Sequence, residues 1–194
     1  MTKLTDGIKQ YKNVIPSGMC DEFISLFDKC DATKFDNQFY IFDQVNMMDS
    51  PEYSAHMESL ADIMSSVHNR YAKDFGFFPE TDSYEAPRIK RYKQNSGVFN
   101  WHTDACTTSS CDRILVMFFY LNTVEKGGET VFDFNGKKTK VKPLKGSVLC
   151  FPPTWQYPHM GSIPISGPKY VISSYVKAPK REKRVSNPDT FKLN

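Results

Sequence analysis

The sequence predicts a mainly β fold of the α+β class, and three observations predict it. From Glu85 almost to Lys177 the chain breaks into short runs rich in β-branched and aromatic residues, bounded by Gly, Pro or Asn, as strands and their turns read. Ahead of that region, two stretches carry start signals built from Pro and Ser and then apolar residues that face one way on a helix. Aromatic residues make up 14% of the 194 residues, with 15 Phe and 10 Tyr, and supply the bulky core that such a β structure needs. Seven or eight short antiparallel strands suit a jelly-roll or cupin-like double-stranded β-helix, with the N-terminal helices packed on one sheet. We divide one expected domain into a helical support region (1–84), a β-helix core (85–177) and a basic tail (178–194).

Taken in order, a short strand over 11–15 leads to Pro16 and Ser17, where Ser17 is placed as a helix N-cap with Asp21 and Glu22 in the first turn. Phe23, Leu26 and Phe27 then face inward. A strand is expected around 39–42, ending near Asn46. Ser50-Pro51 starts a long helix, because Ser caps and Pro is tolerated at the first helical position. Its buried stripe runs from Tyr53 through Leu60, Met64 and Val67 to Tyr71 and Phe75, and Gly76 closes it. His56 and His68 lie beside that stripe and read as surface or half-buried helix residues rather than ligands. The core strands are expected at 88–93, 98–102, 113–121, 130–134, 139–141, 147–151 and 170–176. The run 114–121 is apolar throughout, as befits a strand buried on both faces under the helices. The paired Gly127-Gly128 suits a turn that brings the next strand close to its neighbours.

The net charge of +3 is small for this length, so the composition as a whole does not point to nucleic acid or a membrane surface as partner. No apolar core of signal-peptide length lies in residues 1–18, and no run approaches the roughly 18 apolar residues of a membrane span, so a cytoplasmic location is expected. Five cysteines without a C-x-x-C spacing argue against a disulfide framework or a zinc ribbon and read as free thiols. Cys106 and Cys111 bracket a polar loop, and their pairing as a redox clip is the alternative to two reduced thiols.

The chemistry centres on Asn100-Trp101-His102-Thr103-Asp104, where His102 and Asp104 stand two apart in a β-like run and so share a face. An imidazole and a carboxylate placed that way can grip one metal ion, with His159 as the candidate third ligand. Two histidines and one carboxylate with open positions suit a non-haem Fe(II) oxygenase. Lys169 follows His159 by ten residues and starts another strand; an ammonium buried beside a metal needs an anionic partner, such as the far carboxylate of a dicarboxylic co-substrate.

With these residues in view, the ordered set Arg91-Tyr92, Gly97-Val98-Phe99, His102-Thr103-Asp104, Arg113, Tyr120-Leu121-Asn122, Gly127 to Thr130, His159-x-Gly161 and Gly167 to Tyr170 resembles the prolyl 4-hydroxylase branch of the 2-oxoglutarate/Fe(II)-dependent dioxygenases. The resemblance covers about the second half of the chain. It implies that His102, Asp104 and His159 bind iron, that Lys169 anchors the distal carboxylate of 2-oxoglutarate, and that Tyr92 and Thr130 hydrogen-bond that carboxylate. It further implies O2 as oxidant, ascorbate as reductant, and oxidative decarboxylation of 2-oxoglutarate to succinate and CO2 coupled to hydroxylation of a proline-containing peptide or protein. Phe99, Arg113 and Tyr175 match positions that line the family's peptide groove. Here Phe99 stands where a tyrosine is common and Tyr175 where a tryptophan is usual, while Arg113 is retained. Two rival substrates are a free amino acid or small metabolite and, from the basic residues Lys177, Lys180, Arg181, Lys183 and Arg184, methylated nucleic acid. A non-catalytic cupin-like module would have lost an iron ligand, and none is lost. The sequence carries no sign of the oligomeric state.

Overall fold

The computed structural model describes residues 3–179. Twelve strands and two α-helices follow one another as β1 (Lys9–Tyr11), α1 (Ser17–Phe27), β2 (Thr33–Asp36), β3 (Tyr40–Asn46), α2 (Met57–Lys73), β4 (Ser83–Tyr84), β5 (Arg88–Tyr92), β6 (Val98–His102), β7 (Arg113–Tyr120), β8 (Thr130–Phe134), β9 (Lys137–Val141), β10 (Val148–Phe151), β11 (His159–Gly161) and β12 (Lys169–Lys177). Every pairing among them is antiparallel, in the order β1-β10-β7-β12-β5-β3-β6-β11-β8-β9, with β2 on β3 and β4 on β12. The run β10-β7-β12-β5 makes one wall of a double-stranded β-helix and β6-β11-β8-β9 the other. β3 joins them, pairing β5 through Asp43 to Asn46 and β6 through Tyr40 and Ile41.

Strand alternation separates two cores. On β7, Leu115, Met117 and Phe119 face outward into a cluster with Phe23 and Phe27 of α1 and Leu60, Met64, Val67 and Tyr71 of α2. Val116 and Tyr120 face inward with Tyr92, Phe132, Leu149, Phe151, Val171 and Tyr175. The helices thus seal the outer face of one wall, which explains why β7 reads as apolar throughout, and the space between the walls is left for the site.

Several local expectations need correction. Ser17 lies inside α1, Pro16 occupies the cap position and no side chain caps the helix. Ser50-Pro51 does start a helical stretch, but Pro51–His56 is a 3-10 helix and the α-helix begins only at Met57. It ends at Lys73 with Asp74 as its C-cap, short of Gly76. The first strand is Lys9–Tyr11, and Val14 and Ile15 instead donate their N–H groups to the Gly146 carbonyl. The region 1–84 is not only helical: β1 to β4 extend the sheet, and β3 bridges its walls. The strand expected around 39–42 is Tyr40–Asn46 and ends at Asn46, as expected.

Gly127 and Gly128 both take positive φ, 73° and 74°, and a Cβ on Gly127 would strike the Ile163 carbonyl. Only glycine allows the turn before β8 to pack so closely on the loop that follows β11. His56 faces Glu22 at 3.3 Å and His68 shares a hydrogen bond with the Tyr84 hydroxyl at 3.0 Å, so neither joins a metal cluster. Cys106 and Cys111 are exposed free thiols. Lys177 pairs with Asp112 at 2.9 Å, whereas Lys180, Arg181, Lys183 and Arg184 lie outside the described residues. Among the described residues no helix is long and apolar enough to cross a membrane.

Candidate active site

His102 closes β6 and His159 opens β11, and the two are direct partners across that strand pair. Asp104 follows two residues after β6, where its N–H and that of Ala105 both donate to the Pro153 carbonyl. One donor atom from each of the three residues lies within 4.8 Å of the others. The outer nitrogens fix the ring orientations: Nδ1–H of His102 donates to the Asn100 carbonyl at 2.7 Å, and Nδ1–H of His159 to the Tyr157 carbonyl at 3.1 Å. A carbonyl can only accept, so each Nδ1 carries a proton and each Nε2 is the ring atom turned toward Asp104. His159 Nε2 and Asp104 Oδ2 are 3.3 Å apart, yet His102 Nε2, His159 Nε2 and Asp104 Oδ2 are all buried without a hydrogen-bond partner. Burial alone would push the Asp104 carboxyl up, but His159 and His102 pull it well below the usual carboxylate range, so it is anionic. Three converging ligand atoms left without a hydrogen-bond partner fit a cation, and two imidazoles with one carboxylate fit Fe(II).

The surroundings hold this arrangement in place. Phe99 stacks flat on His102, with ring centres 3.7 Å apart, and Phe151 meets His159 edge-on. Tyr175 donates its hydroxyl to Asp104 Oδ1 at 3.0 Å. Above it lies the Arg113 guanidinium, 3.8 Å from the centre of the Tyr175 ring. Arg113 donates to both oxygens of Glu85 at 2.7 Å and to the Asp104 carbonyl at 2.9 Å.

A pocket opens beside the triad, lined among others by Tyr92, Phe99, Thr130, Lys169 and Ser173. Lys169 is 4% exposed. Its ammonium lies over the rings of Tyr92 and Tyr120 at 5.3 and 5.4 Å, and no described residue forms an ion pair or hydrogen bond with it. Burial pushes it down to about 8, with Glu129 acting against and Lys90 with that shift. The Tyr120 hydroxyl shares a 2.8 Å hydrogen bond with Thr130 Oγ1. A buried ammonium flanked by hydroxyls and lacking a counter-charge is the complement of a carboxylate.

Of the sequence-predicted residues, His102, Asp104 and His159 form one cluster, while Tyr92, Phe99, Thr130 and Lys169 line the adjoining cavity. Arg113 and Tyr175 stand behind Asp104: both have committed their polar groups inside the protein, and Tyr175 is only 5% exposed. Sequence reasoning missed Tyr120, Lys90, Ser173 and Glu85. The signal for two of them is the pleat, because Tyr92 and Lys169 facing inward puts Lys90 and Ser173 on the same faces of β5 and β12.

Glu85 carries an expected result of its own. Burial would raise its carboxyl, but Arg113 and Arg88 hold it lowered overall. A depressed carboxyl contributes stability above its unfolded pKa of about 4.3 and loses it as pH falls through the folded value. Glu85→Gln should cost about 2 kcal/mol at neutral pH, because Arg113 loses its charged partner. Denaturant midpoints of the two proteins, measured from pH 7 down to about 3, should converge.

Comparison with known proteins agrees with this geometry. The model of the 2OG-Fe(II) oxygenase superfamily matches residues 87–177, the stretch that supplies all three triad residues and Lys169. Residues 87–177 thus resemble a 2OG-Fe(II) oxygenase domain. The chain is also similar to a prolyl hydroxylase: "Probable prolyl 4-hydroxylase 7" of Arabidopsis thaliana is 28% identical over 171 residues, covering 76% of this chain and 52% of the relative. The chain thus spans about half the length of that curated relative. In fold, a Trichoplax adhaerens prolyl hydroxylase, solved with a hypoxia inducible factor oxygen degradation domain peptide fragment, matches with a TM-score of 0.74 at 16% identity, over 89% of this chain and 84% of that one. The viral collagen prolyl hydroxylase of Paramecium Bursaria Chlorella virus-1, in its 2-oxoglutarate complex, matches with a TM-score of 0.65 at 21% identity, over 89% and 97%. Both share the double-stranded β-helix.

Proposed function

We propose that this chain is a 2-oxoglutarate- and Fe(II)-dependent dioxygenase that hydroxylates prolyl residues of a peptide or protein at carbon 4. The observation that carries the proposal is the joining, at one pocket, of three converging metal-ligating atoms to a buried ammonium with no partner. His102, Asp104 and His159 would hold the iron, and Lys169, Tyr92 and Thr130 the distal carboxylate of 2-oxoglutarate. Bound iron, with 2-oxoglutarate and O2, supplies the conversion of a C–H bond to C–OH while 2-oxoglutarate becomes succinate and CO2, ascorbate keeping the metal reduced.

The chain's own groups then do four things. The Asn100 and Tyr157 carbonyls hold both imidazoles in the tautomer that offers Nε2 inward. The Tyr175 hydroxyl occupies one side of Asp104 Oδ1, which leaves Oδ2 for the metal. Phe99, Phe118 and Phe151 wall the triad with apolar rings that limit water. Arg113, clamped by Glu85, braces Tyr175 and the Asp104 backbone together.

The names of the relatives support a prolyl substrate. The experiment is to supply Fe(II), ascorbate and 2-oxoglutarate with proline-rich peptides, free proline and methylated oligonucleotides, and to follow succinate and product mass. The expected result is succinate formed in step with one added oxygen atom on a prolyl residue. Oxidation of free proline alone, or of the oligonucleotide alone, would contradict it.

A further inference from the structure

The cavity holds a second buried ammonium that the assigned machinery does not use. Lys90 stands on β5 two residues before Tyr92, on the same inward face, opposite Val171 of β12. It is 9% exposed, and no described residue gives it an ion pair or hydrogen bond. Its nitrogen lies over Phe42 at 4.9 Å and Phe99 at 5.7 Å, rings carried by β3 and β6. Lys169, by contrast, lies over Tyr92 and Tyr120 of β5 and β7. The two ammonium groups therefore serve different sides of the cavity, and that of Lys90 neighbours the ring stacked on His102.

The charges nearest to Lys90 are spoken for. Glu85 is taken by Arg113 and Arg88, and Asp104 by Tyr175 and the two histidines. Aromatic faces alone compensate a buried ammonium poorly, and the residue opposite, Val171, shows that an aliphatic side chain fits this layer. Fe(II), Asp104, Lys169 and the two carboxylates of 2-oxoglutarate already balance in charge, so Lys90 adds one positive charge that nothing in the loaded site would neutralise.

We propose that Lys90 is a second carboxylate-binding group of the pocket, placed on the side of Phe99 and the metal triad. It rests on the reading of the cavity as a 2-oxoglutarate site. Two carboxylates could fill it: the near carboxylate of 2-oxoglutarate, or one carried by the substrate. The charge balance favours the substrate, so the oxidised residue has an acidic side chain or a chain-terminal carboxylate beside it.

The test uses the Zn(II)-substituted full chain, which binds without turnover, as wild type, Lys90→Met and Lys90→Gln. Calorimetry gives the affinity for 2-oxoglutarate, and NMR follows acetate, as a minimal carboxylate, added with and without saturating 2-oxoglutarate. The expected result is that 2-oxoglutarate affinity is kept within about threefold, while acetate binds the loaded wild type and is lost by about tenfold or more in both variants, the effect of one charge-assisted hydrogen bond. The ligand-free Lys90→Met protein should also unfold at a higher temperature than wild type, since it no longer buries an unpaired charge. A tenfold loss of 2-oxoglutarate affinity instead would assign Lys90 to the co-substrate's near carboxylate. Unchanged 2-oxoglutarate affinity together with acetate binding that is absent, or equal in wild type and variants, overturns the proposal. Failure of wild type to bind 2-oxoglutarate at all overturns the co-substrate site instead, and the acetate arm without 2-oxoglutarate still decides Lys90.

Discussion

Asp104→Ala is expected to lose Fe(II) binding and all Fe(II)-dependent succinate formation while keeping its fold. Asp104 is the one carboxylate among the three converging ligands, and without it two imidazoles remain, a pair that neither balances the metal charge nor fixes its geometry. The wild type should gain about 2.7 kcal/mol when the metal is present at a hundred times its dissociation constant. For a chain of this length that corresponds to a rise in Tm of roughly 5–10 °C. The variant should show no rise, with an unchanged far-ultraviolet circular dichroism spectrum, because Asp104 lies past the end of β6 and its side chain carries no strand pairing. Metal-dependent stabilisation equal to that of wild type would remove Asp104 from the ligand set.

Lys169→Ala is expected to weaken 2-oxoglutarate binding by about one to two orders of magnitude, since a charge-assisted hydrogen bond is worth roughly 1.5–3 kcal/mol. Fe(II) affinity should change little, because Lys169 lies over Tyr92 and Tyr120 and is not one of the three metal donors. Lys169→Arg should recover only part, as a wide planar fork fits poorly between those rings. The pH dependence has a definite sign. The ligand-free ammonium is held down to about 8 by burial, so above that pH the free protein loses the proton that the bound carboxylate requires. Affinity should therefore fall as pH rises past about 8, with proton uptake on binding, and calorimetry in buffers of different ionisation heat reads both. Equal 2-oxoglutarate affinity in Lys169→Ala would show that the ammonium is not the anchor.

How much of this was legible in the sequence depends on whether a residue speaks locally. His102 and Asp104 stand two apart on one strand, so spacing alone put them on one face, and the Gly127-Gly128 pair announced a close turn that the Ile163 carbonyl enforces. β7 read as buried on both faces because it packs against α1 and α2 outside and Tyr92 and Phe151 inside. Other features depend on contacts distant in sequence. β11 is only three residues long, His159 to Gly161, and is a strand because β6 and β8 flank it. β2 is a largely exposed edge strand with two acidic or basic residues in four, so no apolar alternation marks it. Arg113 and Tyr175 were expected in the groove, but Glu85, 28 residues before Arg113, draws its guanidinium over Tyr175. Lys90 was legible once Tyr92 was placed, since the pleat puts both on one face.

One pocket is expected to hold a metal between His102, Asp104 and His159 with a dicarboxylate on Lys169. The most direct measurement is diffraction from anaerobic crystals containing Fe(II) and 2-oxoglutarate, with data collected on both sides of the iron absorption edge. The expected result is a single anomalous peak bonded by Nε2 of His102, Nε2 of His159 and a carboxylate oxygen of Asp104, with the distal carboxylate of 2-oxoglutarate on the Lys169 ammonium. An iron peak elsewhere, or 2-oxoglutarate bound away from Lys169, would contradict it.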